Sequence, residues 1–576
     1  MIRRLLPESL HREFDQFVLL SRDSVRSLLN AALVARDSDP SQFAMWGLVL
    51  IATPAAMYGF RQLVHYSALG FQKAAIIEHA IQVDRMFFLV YGMLVSALVA
   101  AATWEALLPD RADQEIVGSL PVRPRTLAAA RLVAALWTAT AASAAISLPA
   151  AVFLAVAAPS HPALGFLPVV LVAHVIATTA ASLFMFALLL LARALIAFGF
   201  GARTSERLAT AMQLLTIAAL AEVFFFIPGV IPALINRLAA GDRDALLIPP
   251  MPFAALYAWL VGLRYPSLGF GAAMAPLALV AALVLVVAVY LLPARRFARR
   301  ALETQPHQHA GVVSTLARAA AVALPSSPGV RSMTTFTVTT MLRSRRHRLM
   351  VTAYGGLALA TGTMSVIAGG TRGTVIFDRP YTSLLAVPLV AIFFVTLGLR
   401  AAFTVPSDVD ANWVFRLSRP QVDSAVDATA LTMFLLSVAP LALLSAIGSV
   451  LLGWTRHHAA VIGLLDVLGG LVLIEWVLRG WHTIPFTCAR AGDAEAVRSR
   501  WLGHILPLIV FAFVNAAIQA TVLRSNRAVA SYVGIAALLW FALRLRRRFA
   551  ARNVSLQFDP SPSDAMATLD LSEAIG

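Results

Sequence analysis

Apolar runs of about eighteen residues or more recur along the whole chain, close to the ~20 residues a helix needs to cross the hydrocarbon core of a bilayer. They fall at 43–60, 86–104, 132–157, 169–192, 208–227, 269–292, 349–369, 382–404, 428–452, 458–478, 501–521 and 527–543. This pattern predicts an all-α polytopic membrane protein with about twelve transmembrane helices. Ahead of the first run, Phe14, Phe17, Val18, Val25, Leu28, Leu29 and Ala32 recur at helical spacing, with Arg12, Asp15, Arg22, Asp23 and Arg26 between them. Such a stripe predicts an amphipathic helix in the cytoplasmic interface, with an ordinary soluble cap helix as the alternative. No apolar core of signal-peptide length occurs in the first 42 residues, so the N-terminus is expected to be retained.

Polar stretches divide the runs. The longest, from Pro293 to Arg348, carries Arg295, Arg296, Arg299, Arg300, Arg343, Arg345, Arg346 and Arg348 around Pro306, Pro325 and Pro328. It separates the spans six and six. The expected organisation is a cytoplasmic amphipathic segment at 1–42, a six-span half at 43–292, a basic cytoplasmic linker at 293–348, a second six-span half at 349–543 and a cytoplasmic tail at 544–576. In each half, a polar segment of about twenty residues follows the second span. One offset places Pro109 on Pro406, Asp113 on Asp410 and Leu120 on Leu417, which suggests a duplicated half. Within the first segment, Asp110 after Pro109 can cap a short helix that Gly118 closes. Pro121 and Pro124 then extend the backbone, and Thr126 can cap the third span. A short, rigid helix joined to two spans can transmit force; a well-made loop without a partner is the alternative.

Composition agrees with the membrane class. Of 576 residues, 59% are apolar and 13% charged, against roughly 45–50% and 25% in soluble domains. That excludes a soluble enzyme, a disordered chain and a secreted disulfide scaffold; the single cysteine, Cys488, has no internal partner. The net charge of +16 raises the question of nucleic acid. However, the basic residues, all arginine except Lys73, gather at span ends, as membrane topology requires. With a cytoplasmic N-terminus, about three in four of them fall on the inside, which predicts N-in and C-in. The basic linker is expected to touch anionic membrane lipid, and no nucleic-acid partner is expected.

Ionisable residues at bilayer depth cost about 2.5–3.5 kcal/mol each, so each needs a reason. The candidates are His174, Glu222, Asp466 and Glu475, with Asn515 and Gln519 as neutral company. Glu222 could serve a substrate or gate, or simply hydrogen-bond a neighbouring helix. Asp466 and Glu475 lie about 180° apart on one helix, so they cannot share a proton or metal. An ion pair to Arg479, four residues on, is expected to satisfy Glu475. Adjacent His457 and His458 point in different directions, so no metal is expected, and Cys488 reads as an inert or buried thiol. No nucleophile, base and oxyanion set can be assembled, so no catalytic residue is expected and the chain is not by itself an enzyme.

Around the polar segments a resemblance emerges. Glu115-Ile-Val-Gly-Ser-Leu-Pro121-Val-Arg123, followed by Leu127 and Arg131, resembles the turn after the second span in permeases of type-2 ATP-binding-cassette (ABC) exporters. The stretch from Trp104 through Pro109-Asp-Arg111 to Arg125 is similar to large bacterial forms of those permeases. Ile248-Pro-Pro250 with Phe253, Leu256 and Tyr257, then Ala411-Asn-Trp413-Val-Phe-Arg416, and Ile484-Pro-Phe-Thr-Cys488 add further similarity. The resemblance implies six spans per half, an amphipathic elbow at 11–35, coupling helices at 109–118 and 406–417, and a re-entrant element at 247–264. On that likeness, the coupling residues would be Asp110, Asp113, Glu115, Pro121, Arg123, Asp408, Asp410, Trp413 and Arg416. The second half departs from the pattern, with only about five residues between its last two spans. No Gly-x-x-x-x-Gly-Lys-Ser/Thr loop surrounds Lys73, so this chain supplies no phosphate cradle. The resemblance therefore implies ATP and magnesium on separate ABC-type ATPase subunits. Two coupling helices would engage two nucleotide-binding domains, and the site of action would be the bacterial inner membrane. An ion-coupled secondary transporter and, less favoured, a membrane enzyme acting on lipid-linked substrate stand as alternatives.

Overall fold

A computed structural model describes residues 8–32, 52–53, 55–62, 65, 74–104, 107, 120–157, 166–263, 268–303, 315, 319, 327–369, 380–407, 413–418, 421–488, 505–551 and 556. The described residues are helical, with no strand among them. Nine of the helices are long and apolar enough to cross a membrane. The protein is therefore a polytopic α-helical membrane protein. The chain forms two compact units, Met1–His307 and Gln308–Gly576.

In the first unit, α1 (Glu8–Ala32) is followed by helical residues at 55–62, which fall on the first expected span; most of 43–54 lies outside the described residues. Next come α2 (Ala74–Thr103), α3 (Pro124–Ala157), α4 (Leu167–Gly199) and α5 (Ala202–Ala239). The short helix α6 (Pro250–Leu260) leads to α7 (Leu268–Leu291) and the basic α8 (Ala294–Glu303). Helix α4 is the hub, packing against α2, α3, α6 and α7. Small residues on its inner face (Ala173, Ala177, Ala181, Ala187, Ala194) let its neighbours approach closely. Meanwhile α1 packs on α3, with Val25 against the core that α3 and α4 share. The third span begins at Pro124, and the Arg123 carbonyl accepts from the Thr126 amide. The start is thus set by a proline in the first turn, and Thr126 is not its cap.

Helix α5 ends where Gly241 takes φ 78°, with Asp242 N bonding the Arg237 carbonyl at 3.1 Å. This is a six-to-one closure that favours glycine. Asp242 Oδ1 then accepts from the backbone N of Asp244 at 3.0 Å and caps the turn that aims the chain into α6. That short helix is deeply seated, with Met251, Phe253, Ala255 and Tyr257 all buried.

The second unit contains α9 (Pro328–Arg343), α10 (Arg345–Gly369), α11 (Thr382–Phe403) and a six-residue α12 (Trp413–Ser418). A long span follows, in which α13 (Val422–Met433) and α14 (Ala439–Leu451) flank a π-helical turn at Phe434–Val438. Helix α15 (Arg456–Val477) comes next, begun by Thr455, whose side chain accepts from His458 N. Further on, α16 (Ile505–Leu508), a second π turn (Ile509–Val514) and α17 (Asn515–Val522) form one apolar rod, and α18 (Asn526–Ala551) closes the described chain. Here α15 takes the position of hub, packing on α11, α14 and α18. At Gly470 a Cβ would sit 2.5 Å from Val438 Cγ1, so α15 and the first π turn meet nearly backbone to side chain.

The two units repeat an order. In each, a helix outside the span set packs on the third span, α1 on α3 and α9 on α13. The basic linker expected at 293–348 includes two helices among its described residues, α8 and α9. The second expected coupling helix, 406–417, falls partly outside the described residues, which omit 408–412. Val405–Ser407 is not helical, and the helix among the described residues is Trp413–Ser418.

Candidate functional site

Each hub helix carries one fully buried ionisable side chain bonded to a neutral partner on another helix of its own unit. In the first unit this is His174 of α4. Its Nδ1 lies 3.1 Å from the Tyr257 hydroxyl of α6, and both rings are buried. Phe88 packs edge-on against the imidazole. Arg85 of α2 sits over the other side of Tyr257, 5.0 Å from the ring centre, a cation–π contact in a desolvated place. One residue earlier, Asp84 accepts from Tyr58 at 2.8 Å and from Gln62 at 2.7 Å. Thr178, one turn after His174, bonds Ser147 of α3 at 2.7 Å. Tyr257 thereby ties the short helix to the hub.

The second unit repeats the arrangement with different chemistry. Asp466 of α15 is fully buried and accepts from Gln519 Nε2 of α17 at 3.4 Å. Ser445 of α14 approaches the same carboxyl, as Ser147 of α3 approaches α4 in the first unit. Asn515 Oδ1 accepts from the Tyr532 hydroxyl of α18 at 2.7 Å. The two π turns, at Phe434–Val438 and Ile509–Val514, lie just before the segments that face this carboxyl, and such bulges re-aim side chains within a span.

Glu475 behaves otherwise than its local sequence suggests. Its carboxylate pairs with Arg547, 72 residues away on α18, rather than with Arg479: Arg547 Nε is 2.8 Å from Oε2, and a terminal nitrogen donates to Oε1 at 3.2 Å. Arg547 also reaches Asp427 of α13 at 2.8 Å, and Asp427 receives Arg544 at 3.4 Å and Arg548 at 3.0 Å. Two acids and three arginines thus fasten the beginning of the third span, the end of the fourth and the end of the sixth. The side chains of Glu475 and Arg547 are 3% and 10% exposed, so this is an interior network, unlike an exposed pair worth about 0–1 kcal/mol.

Close to the same end in sequence, the residues leaving α11 are clamped. His347 Nε2 lies 2.9 Å from the Val405 carbonyl, and its ring meets Phe486 edge-to-face, with centroids 4.5 Å apart. Phe486 adopts φ 69°, which is strained for an aromatic residue. Its N bonds the Phe403 carbonyl at 2.9 Å, and its carbonyl accepts from Ser407 N at 3.2 Å. The Ile484–Cys488 motif is therefore a brace for the segment that precedes α12, with Cys488 buried beside Thr487.

Of the expected coupling residues, Asp110, Asp113, Glu115, Asp408 and Asp410 lie outside the described residues. Pro121 and Arg123 immediately precede α3, and Arg123 pairs with Glu13 of α1 at 2.8 Å on the surface. Trp413 and Arg416 lie on α12. Glu222 lies within α5, half-buried and partnered. His458 bonds Thr455 at 2.8 Å, and no cluster of three potential metal ligands occurs among the described residues. Comparison with protein-family models, with curated proteins and with solved structures returns no match.

Asp84, Arg85 and Tyr58 carry no signal in the pattern of apolar runs. The second span was expected to start at 86, because a hydropathy window rejects a carboxylate and a guanidinium. The helix begins at Ala74 and buries both. Outside the spans, Asp242 is held below the usual carboxylate range, first by the hydrogen bond from Arg237 at 2.7 Å and then by the backbone bond from Ala245.

Proposed function

We propose that this protein is the permease subunit of a bacterial ABC exporter, moving substrate across the inner membrane with ATP hydrolysed on separate subunits. The observation that carries the reading is the repeated order of the units: an outlying helix on the third span and a connecting segment after the second span, where the family-like motifs sit. In this reading both termini are cytoplasmic, the halves are 43–292 and 349–543, and the segments 109–118 and 406–417 receive the ATPase.

The mechanism follows from stiffness. Closure of two ATPase domains around ATP and magnesium would push on the connecting segments. In the second unit, that push would enter through α12 and the residues braced by His347 and Phe486. The network of Asp427, Glu475 and Arg547 would carry it to α13, α15 and α18 together. In the first unit, Arg123 would pass it to α1 and α3. The first unit's hub residue, His174, is met within its own unit by the neutral Tyr257, which supports this reading over an ion-coupled secondary transporter.

Reconstitution tests it. The protein, purified from its host with its partner and placed in liposomes, is expected to stimulate that partner's ATPase activity. The double variant Glu115→Ala with Asp410→Ala should lose the stimulation while keeping its thermal stability. An ATPase rate indifferent to the permease contradicts the reading.

A further inference from the structure

Asp466 and Gln519 each leave one buried oxygen without a partner. Gln519 Nε2 donates to Asp466 Oδ1, while Asp466 Oδ2 and Gln519 Oε1 receive no hydrogen bond. Both side chains are fully buried. An ionised carboxylate accepts only, so in that state Asp466 offers Gln519 Oε1 no hydrogen. One added hydrogen resolves both orphans, because a carboxylic acid and a primary amide are complementary in two directions at once.

We propose that Asp466 is a proton-binding site inside the second unit, its Oδ2–H donating to Gln519 Oε1 while Gln519 Nε2–H donates to Oδ1. The surroundings favour a proton over a metal ion or an ion pair. From α18, Tyr532 is the nearest titratable group, and its hydroxyl hydrogen is committed to Asn515. From α14, Ser445 brings only a neutral hydroxyl toward the carboxyl. Helix α11 contributes no titratable residue except Arg400 in its last turn. On α15 itself, His458 lies about 12 Å before Asp466 by helical rise, and Glu475 about 13 Å beyond it. Glu475, Asp427, Arg544 and Arg547 are occupied with one another. Among the described residues no cation pairs with Asp466, and two oxygens with one approaching hydroxyl fall short of the six ligands or so that a hard cation prefers. Protonation then decides whether α15 and α17 are joined by two hydrogen bonds or one. The inference stands on these contacts and does not depend on the exporter reading.

Infrared difference spectroscopy of the full-length protein in nanodiscs tests it, comparing wild type with Asp466→Asn at neutral pH in sodium-free buffer. The expected result is a protonated-carboxyl stretch in the wild type, shifted down in heavy water and absent from the variant. If Asp466→Asn does not fold, Gln519→Leu provides the second arm. There the same stretch should persist but move to higher frequency, since its acceptor is gone. Spectra that show no difference in this region between wild type and Asp466→Asn overturn the proposal. So does a band unmoved by Gln519→Leu, or a wild-type melting temperature that rises with sodium while that of Asp466→Asn does not, which would identify a metal-ion site.

Discussion

Removing Arg547 should cost more than any single exposed charge in the molecule. Its guanidinium makes two contacts to Glu475, at 2.8 and 3.2 Å, and one to Asp427 at 2.8 Å. Asp427 keeps Arg544 and Arg548 if Arg547 is lost. Glu475 keeps no ion-pair partner among the described residues, and its side chain is only 3% exposed. Leaving an uncompensated interior charge costs roughly 3–5 kcal/mol. Arg547→Met preserves most of the stem packing, so the expected loss is about 3 kcal/mol, nearly all of it from stranding Glu475. Glu475→Gln removes that charge but retains an acceptor, for about 1–2 kcal/mol. Once both changes are made, no acid in this region is without a cation. The double variant should therefore lose less than the sum of the singles, by at least about 1 kcal/mol, within the range of measured couplings. Reversible unfolding in mixed micelles, followed by tryptophan fluorescence for all four proteins, measures this directly. A cycle that closes additively, within about 0.5 kcal/mol, would refute the claim that Arg547 chiefly serves Glu475.

Three other outcomes follow from the packing and the loops. Gly470→Ala places a Cβ 2.5 Å from Val438 Cγ1, so it should destabilise by about 1–3 kcal/mol through overpacking; adding Val438→Ala should recover part of that loss, as melting temperatures would show. Gly271→Ala would meet Ala255 Cβ at 2.6 Å and Leu246 Cδ2 at 2.9 Å, displacing α6 from α7, and hydrogen exchange in α6 should rise while exchange in the second unit stays unchanged. Because Asp242 is held below its ordinary value by Arg237, its contribution is fully present above the usual aspartate range near ~4 and is lost as pH falls through the lower native value. The gap in melting temperature between wild type and Asp242→Asn should accordingly be flat at neutral pH and shrink in acid; a gap that widens in acid would contradict the assignment.

Much of the helical plan was legible in hydropathy, because each apolar run long enough to span must hide its backbone in a helix. The buried His174 and Asp466 also stood out, since ionisable residues in apolar runs are rare enough to notice. Their partners did not. Tyr257 lies 83 residues from His174, Gln519 lies 53 from Asp466, and Arg547 lies 72 from Glu475. No periodicity reaches across such gaps. The expected pair of Glu475 with Arg479 followed a sound helical rule, but α15 ends at Val477, so the rule's geometry was absent where it was applied. Asp84 and Arg85 were hidden for the opposite reason. Charges at a span end look like loop when their compensating groups cannot be seen. Phe486 gave no sequence signal of its left-handed backbone, which is imposed by the Phe403 and Ser407 hydrogen bonds on either side.

The exporter proposal requires ATP hydrolysed on a separate subunit that binds this membrane protein. The most direct measurement is gentle-detergent purification from the native host, with mass spectrometry of whatever co-purifies and an assay of its ATPase activity. The expected result is a P-loop ATPase in stoichiometric amount, two nucleotide-binding domains per chain, lost from the Glu115→Ala, Asp410→Ala control. A monodisperse, folded protein with no ATPase bound, equally so in wild type and control, would contradict it.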